Sequence, residues 1–125
     1  VIEVHGRNVT VFTPSVAATY PERPVPAVIV LHGSYDSPTA IEQASGFSAA
    51  AEASSQGFLA VYPAMATPGG VSWGFELPWE TAFFQALVDK LVAEFSARRQ
   101  RVFVCGHSNG GTMALFLQNN MADVF

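Results

Sequence analysis

Three stretches of the chain are apolar without interruption: Ala27-Val28-Ile29-Val30-Leu31, Phe58-Leu59-Ala60-Val61-Tyr62, and Val102-Phe103-Val104-Cys105 directly after Arg101. Short β-branched and aromatic runs with no polar alternation predict strands covered on both faces, as in a parallel sheet. The segments between them keep a different period. Over residues 80–96, Phe84, Leu87, Val88, Leu91 and Phe95 recur at helical spacing, while Gln85, Asp89, Lys90 and Glu94 occupy the opposite face. Residues 39–56 predict a second helical stretch, opened by a capping box of Thr39 and Glu42, interrupted at Gly46 and stopped by Gly57. Residues 112–120 predict a third.

The remaining segments are less regular. Residues 4–12, with Gly6-Arg7-Asn8 in the middle, predict two short antiparallel strands around a turn. Residues 14–26 form a proline-rich connection, and 64–78 are the loosest stretch, holding Pro68, Gly69, Gly70 and Trp73. Strand and helix alternating three times over predict an α/β fold, a mainly parallel sheet with crossover helices behind a short N-terminal hairpin. Residues 1–26 and 27–125 are expected to form one partial domain, hairpin and connection followed by the parallel core.

Composition narrows the function classes. Half of the 125 residues are hydrophobic and 13% are charged, against about 25% charged in an average globular chain. That balance excludes intrinsic disorder. A net charge of −4, with basic residues clustered only at Arg98, Arg99 and Arg101, argues against a nucleic-acid partner. No apolar run reaches the 18 or so residues of a membrane helix, so no membrane partner is expected. The single cysteine, Cys105, excludes an internal disulfide framework and a cysteine metal cluster; it reads as an inert small hydrophobe, and no metal or cofactor is expected. The chain starts at Val1 without an initiator methionine or a signal-peptide pattern and stops at Phe125 just after a helix, so it is expected to be a piece of a longer protein.

The chemistry sits at the end of the third strand. Gly106-His107-Ser108-Asn109-Gly110 is a G-x-S-x-G between a strand and a helix, the context this nucleophile motif requires. A serine on so tight a turn holds strained backbone angles, and neighbours two positions away must lack a Cβ. The turn lifts the Ser108 hydroxyl to a helix N-terminus, where free amides and the helix dipole favour negative charge. The plainer alternative is a glycine-rich turn in which Ser108 caps the helix. At the end of the first strand, His32-Gly33-Ser34 offers the second half of an oxyanion hole: the Asn109 amide supplies one donor and the Ser34 amide the other. Gly33 keeps that loop free of a side chain, and His32 is expected to brace it as a buried structural residue.

These segments, together with Gln56-Gly57-Phe58, Val61-Tyr62-Pro63, Trp73, and the continuation Gly111-Thr112-Met113-Ala114, resemble the polyhydroxybutyrate depolymerase and feruloyl esterase group of α/β-hydrolases. The resemblance runs from about residue 26 to Phe125. It implies an eight-stranded hydrolase core of which this chain holds the front half, a serine esterase activity on small or polymeric esters, and an extracellular setting. One departure stands out. Paired aspartates often precede the long helix in that group, whereas this chain has Pro78-Trp79-Glu80; Glu80 is expected to be only a first-turn acid favoured by the helix dipole.

In this fold the triad order is serine, acid, histidine. After Ser108 the chain holds one acid, Asp123, and no histidine, while His5 and His32 precede the serine. His107 lies on the elbow, away from where a base must approach, and is assigned at most to substrate contact. The general base and its orienting acid are therefore expected outside these residues, leaving the chain alone nearly inactive. Trp73 and Phe75 are candidates for an aromatic wall of the substrate site, or else pack the loop onto the core. Competing functions are a prolyl-oligopeptidase-like peptidase fragment and a non-catalytic hydrolase remnant acting as a binding module. Dinucleotide binding is disfavoured because the glycine pattern and the following acid are missing. The 101–105 strand is expected at a sheet edge, where it would promote self-association.

Overall fold

A computed structural model describes residues 1–75 and 78–125. Ten elements follow one another: β1 (Ile2–Val4), β2 (Arg7–Phe12), α1 (Ser15–Thr19), β3 (Val25–Leu31), α2 (Pro38–Ser45), α3 (Phe47–Ala53), β4 (Leu59–Pro63), α4 (Pro78–Phe95), β5 (Ala97–Gly106) and α5 (Asn109–Asn120). The strands form one five-stranded sheet in the order β1-β2-β4-β3-β5. β3 is parallel to both β4 and β5, and the β1–β2 hairpin joins antiparallel to β4. The fold is α/β, as the strand and helix alternation predicts, and it fits the front half of an α/β-hydrolase that the resemblance implies.

The uninterrupted apolar runs are explained by cover on both faces. Ala27, Ile29 and Leu31 of β3, Leu59 and Val61 of β4, and Val102 and Val104 of β5 meet Phe83, Phe84 and Leu87 of α4 and Met113 and Leu117 of α5. Val30, Ala60 and Tyr62 point the other way and pack with Ile41 of α2 and Phe47 of α3. The second face is less complete near β5, where Phe103 remains 49% exposed.

Several boundaries differ from expectation, each for a local reason. The hairpin turn is His5-Gly6, both at positive φ (48° and 77°) as a two-residue I′ turn demands, so Arg7 belongs to a strand rather than to the turn. The capping box at Thr39 does not form. Ser37 is the N-cap, accepting from the Ala40 amide at 3.2 Å, because Pro38 suits the first helical position. The Glu42 carboxylate instead accepts from Ser48 Oγ at 2.8 Å. The helical stretch breaks at Gly46 in the left-handed region and ends at Ala53, three residues short of expectation. The proline-rich connection contains α1, which apolar periodicity does not signal. α5 starts at Asn109, directly after the elbow, rather than at Thr112. β5 reaches back to Ala97 through a register irregularity against β3 that leaves Arg98, Arg99, Gln100 and Arg101 in solvent; its apolar signal therefore covers only the later half.

Candidate active site

The parallel ladder carries β5 to the elbow, pairing Leu31 with Gly106 and continuing as the His107 amide donates to the Leu31 carbonyl at 3.0 Å. Ser108 follows at φ 56°, ψ −119°, an unfavourable conformation for a residue with a Cβ. Its exposed side chain makes no cap hydrogen bond to α5, so the plain capping alternative does not hold. Among the described residues the hydroxyl has no hydrogen-bond partner.

Both elbow glycines are required by space. A Cβ on Gly106 would lie 2.4 Å from the Gly110 carbonyl carbon and oxygen. One on Gly110 would lie 2.2 Å from the Leu31 carbonyl oxygen and 2.5 Å from that of His32. These neighbours are backbone atoms of α5, of β3 and of the residue that follows it, and they cannot move aside as a flexible side chain would. Gly33 is close to Ser108 as well: a Cβ there would stand 3.4 Å from Ser108 Cβ and from the His107 carbonyl oxygen. The β3 loop thus lies against the elbow. Among the described residues, the amides of Ser34, one position past Gly33, and Asn109, first in α5, have no acceptor.

His32 is 1% exposed, with Nδ1 2.8 Å from the Gly33 carbonyl oxygen and its ring 5.2 Å from that of Trp73. It braces the loop. Trp73 is not an open substrate wall. Its indole is 2% exposed, donates from Nε1 to the His32 carbonyl at 2.9 Å and packs 6.0 Å from Phe84. Phe75, half-buried, meets Phe116 edge-on at 6.1 Å. His107 is exposed and lines, with Asp36, Ile41, Phe47 and Cys105, a groove of about 500 Å³ between β5 and α2–α3. Burial pushes the Cys105 thiol up from its ordinary value, which suppresses the thiolate and fits an unreactive side chain.

Three contributors were not foreseen. The Asn109 side chain ties the elbow to the loop after β4, accepting from the Trp73 amide at 2.9 Å and donating to Ser72 Oγ at 3.2 Å. Glu80 stands in the first turn of α4 as expected, but it is also 1% exposed; it pairs with buried Arg7 and accepts from the Gly74 amide at 2.8 Å. Arg7 also lies 4.0 Å over the Phe83 ring. Arg7, Glu80, Gly74, Trp73 and Asn109 thereby link β2 and α4 through the loop after β4 to the elbow. A signal for Arg7 exists in β2: it shares the inward period-two face with Val9, and an inward arginine needs an acid.

A sharp strand–turn–helix serine, a glycine-lined loop against it and a doubly covered parallel sheet define an α/β-hydrolase site. The chain belongs to the Esterase family, whose profile matches residues 5–125. It is 27% identical over 118 residues to a bifunctional acetylxylan esterase/xylanase from Neocallimastix patriciarum, covering 94% of this chain and 16% of that protein. Its fold is similar to acetyl xylan esterase from Aspergillus awamori (TM-score 0.80, 18% identity, 95% of this chain and 44% of that one). It is also similar to a ferulic acid esterase (0.70, 20%, 95% and 51%) and to an S-formylglutathione hydrolase from Agrobacterium tumefaciens (0.73, 21%, 95% and 50%). The chain spans about half the length of these solved structures and a smaller share of the bifunctional protein.

Proposed function

We propose that this chain carries the nucleophile and oxyanion hole of a serine-dependent carboxylic ester hydrolase. The observation that carries the proposal is Ser108 at a strained strand–helix turn, its side chain exposed and Gly33 packed against it. Ser108 Oγ attacks the ester carbonyl carbon as a base takes its proton. The amides of Ser34 and Asn109 stabilise the oxyanion. The alcohol leaves with a proton, and water then releases the acid and restores the serine. Acetyl or feruloyl esters of xylan and polyester chains are the substrate classes consistent with the family and with the resemblance of the motifs, in an extracellular setting.

The base is not placed among this chain's histidines. His32 is buried and bonded to Gly33, and His107 sits on the elbow itself. His5 turns between β1 and β2, three to four strand spacings from β5, on the order of 15–19 Å. On this reading none of these three histidines is the base, and turnover by the chain alone is expected to be slight.

A fluorophosphonate should label Ser108 slowly, the adduct being located by peptide mass spectrometry, and Ser108→Ala should abolish it. Labelling elsewhere, or none at high reagent, overturns the proposal. A pH–rate profile for an activated ester with a titrating group near about 6.5, lost on replacing a histidine of this chain, would place the base here instead. The β5 edge, with Val102, Phe103 and Val104, is proposed on the same footing to mediate self-association; a monomer by light scattering at all concentrations would refute it.

A further inference from the structure

Tyr35 combines two properties that the fold does not reward. It is 74% exposed, and its backbone sits at φ 61°. The turn Gly33-Ser34-Tyr35-Asp36 is closed by the Asp36 amide donating to the Gly33 carbonyl at 3.3 Å, which makes Tyr35 the third residue. A positive φ at that position suits glycine or asparagine, whereas a bulky aromatic is strained there. The strained turn is held from outside. The Tyr35 amide donates to the Gly70 carbonyl at 2.8 Å, and the Gly70 amide in turn donates to the Thr67 carbonyl at 2.9 Å.

The segment that follows Gly70 leads back to the nucleophile. Val71 is 60% exposed, the Ser72 hydroxyl accepts from Asn109 Nδ2, and the Trp73 amide donates to Asn109 Oδ1. A hydrogen-bonded arc thus runs from Tyr35 through the 70–73 segment to Asn109 of the elbow. At the Tyr35 end, a Cβ on Gly33 would stand 3.4 Å from Ser108 Cβ, and Tyr35, with only Ser34 between, lies within about 7 Å of chain from Gly33. The strained aromatic side chain is presented to solvent two residues along the loop from Gly33.

We propose that Tyr35, backed by Val71, is an apolar lip of the Ser108 site that contacts a flat ring of the bound ester, an arene or the C–H face of a pyranose, and favours such esters over short aliphatic ones. This specificity role rests on the ester-hydrolase reading. It uses surfaces that aromatic side chains recognise at low conformational cost.

The test needs no turnover. Phenyl, glucopyranosyl and ethyl methylphosphonate esters are titrated by NMR into the wild-type chain and into Tyr35→Phe, Tyr35→Asn and Tyr35→Gly. Asparagine and glycine tolerate the positive φ, so both variants should melt no lower than wild type while weakening a ring ester about fivefold to tenfold, the size of one aromatic contact. The ethyl ester should change less than about twofold, and Tyr35→Phe should retain ring preference; the arm that responds identifies arene or pyranose. Equal weakening of ring and ethyl esters, no weakening, or a wild-type chain without ring preference overturns the inference. Failure of Ser108 labelling would remove the hydrolase reading; intact labelling with unchanged ring preference removes only the role of Tyr35.

Discussion

At the carboxyl ends of β3 and β5 the loops are held by buried groups with no freedom to move, whereas at the amino ends they are held by exposed ones. The carboxyl edge carries the Arg7–Glu80 pair at 7% and 1% exposure, the indole of Trp73 on the His32 carbonyl, and elbow glycines facing backbone at 2.2–2.4 Å. The amino edge carries Ser15 with Glu52, the Ser96 hydroxyl on the Pro21 carbonyl at 2.6 Å, and Arg23 stacked 4.5 Å from Tyr20. Gly57 there also has a positive φ of 73°, but the atoms it crowds are the side chains of Val16 and Pro14. Both edges turn the chain sharply. Only one holds its turns to a fixed geometry, and that is the edge where Ser108 keeps its strained angles.

The sharpest break of this contrast is at the buried pair. Arg7→Met leaves the Glu80 carboxylate buried with the Gly74 amide as its remaining partner, and should cost about 3–5 kcal/mol in denaturant unfolding. The double variant Arg7→Met, Glu80→Met removes the orphaned charge and should recover much of that loss. Recovery of stability without recovery of Ser108 labelling would separate the scaffold from the support it gives the elbow. A single-variant cost under about 1 kcal/mol would mean that the pair is solvated like a surface bridge.

The glycines give a smaller contrast of the same kind. Gly110→Ala drives a Cβ into the Leu31 and His32 carbonyls and should cost about 3 kcal/mol together with loss of Ser108 labelling. Gly57→Ala carries the left-handed backbone penalty and a shift of Val16, about 1–2 kcal/mol, with labelling intact. Equal costs by urea denaturation, or a Gly57 variant that loses labelling, would erase the distinction between the edges.

The sequence shows the two edges unequally. The three covered strands announce themselves as apolar runs, and the elbow does so because sterics tie Gly106, Ser108 and Gly110 together at fixed offsets. Local chemistry misleads where two choices compete: Ser37 and Thr39 both suit a cap, and Pro38 decides between them. Contacts distant in sequence leave only faint marks. Arg7 and Glu80 are 73 residues apart, and an acid in a helix's first turn looks the same whether it faces water or a buried guanidinium. Trp73 is ambiguous for a similar reason, since a loop aromatic beside a site reads equally as wall or as core. α1 is too short for apolar periodicity to show it, and none of its residues is buried.

The mildest difference belongs to Glu52. Its carboxylate accepts from the Ser15 hydroxyl and from the Ser15 amide at 2.9 Å, and these bonds hold its pKa below the usual 4.5 despite slight desolvation. A depressed folded-state value means that the charged form is bonded in the folded chain and not in the unfolded one. The stabilisation is therefore complete above the unfolded value and is lost as pH falls from about 4.5 through the lowered folded value. Glu52 is fully exposed, so water and salt screen the contribution strongly. Glu52→Gln should thus lower the melting temperature less than Gly57→Ala does at pH 7. The gap to wild type should shrink with added salt and narrow steadily as pH drops through that window. A gap unchanged between pH 7 and the acid side of the window would show that the Ser15 contact acts through a neutral hydrogen bond. A gap as large as that of Arg7→Met would show that the amino edge is as rigidly held as the edge carrying Ser108.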